Sequence, residues 1–71
     1  MNATHVDPAH YAYRVFWSAE DAEFAAVCRE LPGLSWLDET PDAALAGLQR
    51  VVADVVIDLR ANGEHVPEPL S

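Results

Sequence analysis

Three kinds of residue in this 71-residue chain could do chemistry: one cysteine, three histidines and twelve carboxylates. A thiol nucleophile needs an activating base beside it. His5, His10 and His65 stand near the two ends of the chain, and no spacing ties any of them to Cys28. Cys28 instead closes an apolar alternation, which reads as a small core residue. The histidines form no zinc-ligand pattern. Hydrolysis on paired metal ions needs several acids converging on one point, and here no acid lies inside a predicted strand. No calcium-loop spacing appears either. The chain therefore reads as non-enzymatic, with no metal and no cofactor expected, and its chemistry reduces to binding.

Charge narrows the class of partner. The formal net charge is −8, and the only basic residues besides histidine are Arg14, Arg29, Arg50 and Arg60. Such a surface repels phosphate, so the domain alone is not expected to bind nucleic acid. A basic protein suits it better. Chains of this size bury only about 60% of their surface and are marginal alone. A single cysteine excludes an internal disulfide, which leaves a partner chain as the expected support. No stretch approaches the roughly 18 apolar residues of a membrane span. The start "MNATHVDPAHY" lacks the basic opening and apolar middle of a secretory signal, so a cytoplasmic location is expected.

The elements that must position these residues are legible in the patterning. Residues 1–10 read as a loose polar arm ahead of one domain over 11–69. "YAYRVFW" (11–17) reads as a strand with Tyr11, Tyr13, Val15 and Trp17 on one face. "FAAVCR" (24–29) reads as a second strand with Phe24, Ala26 and Cys28 on one face. An antiparallel register with Trp17 opposite Phe24, Val15 opposite Ala26 and Tyr13 opposite Cys28 gathers these groups on one side. Trp17 then reads as core. Pro32-Gly33 suits a type II turn, and "LSWL" (34–37) a short third strand.

Thr40-Pro41 is a helix start, with Thr as N-cap, Pro in the first turn and Asp42 favoured by the dipole. Apolar residues recur at 44, 45, 48, 51, 52, 55, 56 and 59 with a helical period, and Gly63 is the stop. The proline-rich tail has room for a short strand around Val66. The expected fold is α+β: a three-stranded antiparallel meander with one long helix on one face.

That topology brings half of the carboxylates together. In an up-down-up meander, the first hairpin and the strand-to-helix junction share one end of the sheet. Glu20, Asp21 and Glu23 sit at the first, and Asp38, Glu39 and Asp42 at the second. They form an expected acidic dock for basic groups of a partner. The sheet's second face keeps Phe16 and Val27, Trp36 sits on an edge strand, and Val56 and Ile57 widen the helix stripe. These five are the expected oligomer interface, in a homodimer or higher homo-oligomer.

Several residues in series resemble a known family. Tyr13-x-Val15, Glu20-Asp21, Phe24-x-Ala26, Glu30-Leu31-Pro32-Gly33, Thr40-Pro41, Ala44-Leu45 and Gly63-x-x-Val66-Pro67-x-Pro69 look like the HicB-like antitoxin domain, over residues 11–69. The resemblance implies a partial RNase H-like fold and a bacterial toxin–antitoxin role. It implies binding to a small basic HicA-like toxin, an mRNA-cleaving protein with a double-stranded-RNA-binding fold, so as to cover its active site. Many members carry a further DNA-binding module, which is not expected within these residues. The alternative is a stand-alone homo-oligomeric regulatory or structural module without a toxin.

Overall fold

The computed structural model describes residues 6–70. Three strands, β1 (Tyr13–Ser18), β2 (Glu23–Cys28) and β3 (Ser35–Asp38), precede one helix, α1 (Pro41–Ala61). The sheet is antiparallel throughout, in the order β1-β2-β3. In the first hairpin Trp17 faces Phe24, Val15 faces Ala26 and Tyr13 faces Cys28, which is the pairing that the alternation predicts. Each strand lies one or two residues away from its predicted bounds. Tyr11 precedes β1 yet is buried.

Paired residues share a face and neighbours alternate. Tyr13, Val15, Trp17, Phe24, Ala26, Cys28, Trp36 and Asp38 therefore belong to the helix side. Arg14, Phe16, Ser18, Glu23, Ala25, Val27, Ser35 and Leu37 belong to the other side. Leu48, Val52 and Val56 of α1 are fully buried with Cys28, Ala26 and Ala44. Each large aliphatic side chain so covered contributes about 1.5–3 kcal/mol of transfer free energy.

The helix ends follow their local chemistry. The Thr40 side chain accepts from the Ala43 N–H, with Pro41 in the first turn. At the far end Gly63 has φ 69°. Its N–H donates to the Arg60 carbonyl and that of Glu64 to the Leu59 carbonyl, the doubly bonded glycine stop that a left-handed residue permits.

Three expectations are corrected, and the open question of a strand in the tail is closed. Gly33 stays out of the left-handed region, so the turn closed by the Leu34 N–H on the Leu31 carbonyl is not type II. The 64–70 tail forms no strand. The described part of the N-terminal arm is docked rather than loose: Pro8–His10 form a 3-10 turn, and Val6 is buried in the core. An Arg60 guanidinium N–H donates to the Val6 carbonyl, and the Tyr13 hydroxyl to that of Pro8. Finally, Val56 is 1% exposed. It is part of this chain's own core and unavailable to a second subunit, because α1 presents it squarely to the sheet.

Candidate functional site

The end of the sheet where β1 turns into β2 and β3 leads into α1 carries the six carboxylates. Ser18 pairs with Glu23 in the last rung of the hairpin, and Phe24, one residue on, pairs with Asp38. Glu20 and Asp21 occupy the turn between the strands, and Asp42 the first turn of α1. Glu20, Asp21, Glu39 and Asp42 are exposed, while Glu23 and Asp38 are half-buried.

The bonds these groups make are local. The Ser18 hydroxyl donates to Asp21 Oδ2 at 2.8 Å. Asp38 accepts from Trp36 Nε1 at 3.2 Å and from the Glu39 N–H at 2.8 Å. Among the described residues, the one ion pair within reach joins His10 to Asp7 and none engages the rim.

Trp17 is the correction that matters most here. It is 54% exposed, although its register places it on the helix side. Its ring meets Phe24 edge-on, with centroids 5.0 Å apart. The helix begins beside β3 and packs chiefly over β2 and β3, so the far end of β1 stays uncovered. An aromatic pair thus stands one rung from Glu23 and on the same rung as Asp38. Such a surface offers apolar area, ring faces for cation–π contact and negative charge together.

Trp36 is displaced from its expected role too. It lies on the edge strand β3, as expected, but its side chain faces the helix. Its indole sits where a side chain at Gly47 would be, since an added Cβ there would overlap the ring. Of the five expected interface residues, Phe16 and Ile57 are exposed, Val27 is half-buried, and Trp36 keeps an exposed edge.

Glu30 was not anticipated as a key residue. Its carboxylate is buried and accepts from the Ala12 N–H and the Leu70 N–H, at 2.9 and 2.8 Å. It also accepts from Cys28 Sγ at 3.6 Å. Burial pushes its pKa up, but the amides of Leu70 and Ala12 outweigh burial and hold it below the ordinary value. A signal was available: Glu30 lies two residues past Cys28 and so continues the core-facing series of β2.

Burial raises the Cys28 thiol, the reverse of what a nucleophile needs. Its side-chain partner is an acid already engaged by two amides. His10 and His65 are exposed, and His5 lies outside the described residues. No cluster of three or more metal-ligating side chains occurs among the described residues, and no described helix is long and apolar enough to cross a membrane. No protein-family model matches the chain, and no curated protein and no solved structure matches it.

Proposed function

We propose that this chain is a binding protein of the HicB-like antitoxin type, which blocks a small basic mRNA-cleaving toxin by covering its active site. One observation carries the reading: an exposed Trp17, edge-on to a half-buried Phe24, lies inside a rim of six carboxylates that no arginine among the described residues pairs with. Tryptophan is enriched among residues that dominate binding energy, and like-signed carboxylates steer a basic protein towards it. The β-β-β-α arrangement agrees with the fold that the sequence resemblance implies. Inhibition on this reading is steric and needs no group transfer.

The test is to look beside the gene for a small basic histidine-containing reading frame, whose absence counts against the reading, and to co-express its product with this chain. The native chain relieves the growth arrest that the neighbour causes. Lysine at Glu20, Asp21, Glu39 and Asp42 lowers affinity at least about a hundredfold, and Trp17→Ala does so by about thirtyfold or more. Unchanged affinity in both variants overturns the reading. A second reading, a homo-oligomer acting without a toxin, is favoured by the apolar groups on the sheet face away from α1, where Phe16 is 37% and Leu37 41% exposed.

A further inference from the structure

The sheet face opposite α1 has a charge order that matches its own reverse. Along β2 and one residue beyond, the side chains on this face are Glu23, Ala25, Val27 and Arg29: an acid, two apolar residues, a base. Arg29 continues the series because its N–H donates to the Ala12 carbonyl, extending the β1–β2 ladder by one rung. On β1 the same face shows Arg14 and Phe16, and on β3 Leu37. This is where an otherwise acidic molecule carries two of its four arginines against one strand carboxylate.

We infer that a second copy of this chain covers this face, sheet on sheet, about a two-fold axis that lies in the interface and crosses β2 at Ala26. The other in-plane axis, along the strands, would set Arg29 on Arg29 and Glu23 on Glu23. The crossing axis instead sets Glu23 of each copy over Arg29 of the other, and Ala25 over Val27. Facing sheets stand about 10 Å apart, a gap that an extended arginine and a glutamate span together. Phe16 arrives over the partner copy's Arg14, beside a groove lined by Arg14, Val27, Arg29 and Pro32. Within one chain the Arg14 guanidinium already lies 4.9 Å from the Phe16 ring centre, so the dimer repeats a contact that this chain makes alone. Ala25 is only 6% exposed between the flanking Phe16 and Leu37, so those two side chains form the apolar surface that a second copy meets. Trp17 points to the opposite side, and Glu23 is the one rim carboxylate that both readings use; the lysine substitutions that test the toxin reading omit it, so the two can fail separately.

The test is sedimentation of the native chain and three charge variants at micromolar concentration. The native chain sediments at twice its 7.8 kDa mass. Glu23→Arg alone and Arg29→Glu alone each weaken the dimer by about tenfold or more, because each sets like charges face to face. The double variant exchanges the charges and restores it, which a general loss of folding would not do. A native monomer overturns the proposal, and so does a dimer that the single variants leave intact or that the double variant fails to restore.

Discussion

At the scale of single residues, strain sits at Ala22. It closes the first hairpin with φ 55°, a left-handed conformation that costs an alanine about 1 kcal/mol. Glycine adopts it freely, though it loses more chain entropy on folding. Ala22→Gly is expected to stabilise the fold by about 0.5 kcal/mol, seen as a higher denaturant midpoint at unchanged slope. A lower midpoint would mean that the alanine methyl makes a contact worth more than the strain. The turn residue is visible in the sequence, but its handedness is not. Four residues join the strands, and the closing angle depends on how β1 and β2 twist against each other.

At the scale of elements, the helix sits close to the sheet because Gly47 faces Trp36. A glycine inside a helix normally costs about 1 kcal/mol relative to alanine. Here a methyl would overlap the indole, so the intrinsic gain is outweighed by overpacking of about 1–3 kcal/mol. Gly47→Ala should therefore lower stability despite its better helix propensity. In a Trp17→Phe background it should also shift the emission of Trp36, the remaining tryptophan. Greater stability with unchanged emission would show that the indole rotates away freely. The helix itself was legible end to end: Thr40, Pro41 and Gly63 all occupy the positions that their chemistry predicts. So was the hairpin register, since a slip of one residue would turn Trp17, Val15 and Tyr13 to the other face.

At the scale of the whole molecule, Glu30 ties three distant segments together. Its carboxylate holds the Ala12 amide before β1 and the Leu70 amide of the tail, while the Tyr11 hydroxyl donates to the Pro67 carbonyl. Because its folded pKa lies below its ordinary 4.5, the stability it contributes is full above that value. That contribution is lost as pH falls through the lower folded pKa. Glu30→Gln leaves one amide donor facing another and should cost about 1–3 kcal/mol at neutral pH. The gap between native and variant should narrow below about pH 4.5, read as melting temperature across the acid range. A gap constant with pH would dissociate the carboxylate from the latch. Comparing the two proteins cancels the protonation of surface acids, which affects both.

Local chemistry carried this sequence a long way. Alternation set the faces of β1 and β2, cap residues set the ends of α1, and the meander placed Glu23 near Asp38. What only the tertiary structure decided is lateral placement. Periodicity names the face a residue belongs to, but burial depends on which element lies over that face. Because α1 starts beside β3, Trp17 remains in the open while Val56 is sealed, and Trp36 packs on Gly47. Because the arm folds back, Val6 joins a core formed by residues up to 50 positions away. Such contacts are sums over segments far apart in the chain, and no short window of sequence contains them.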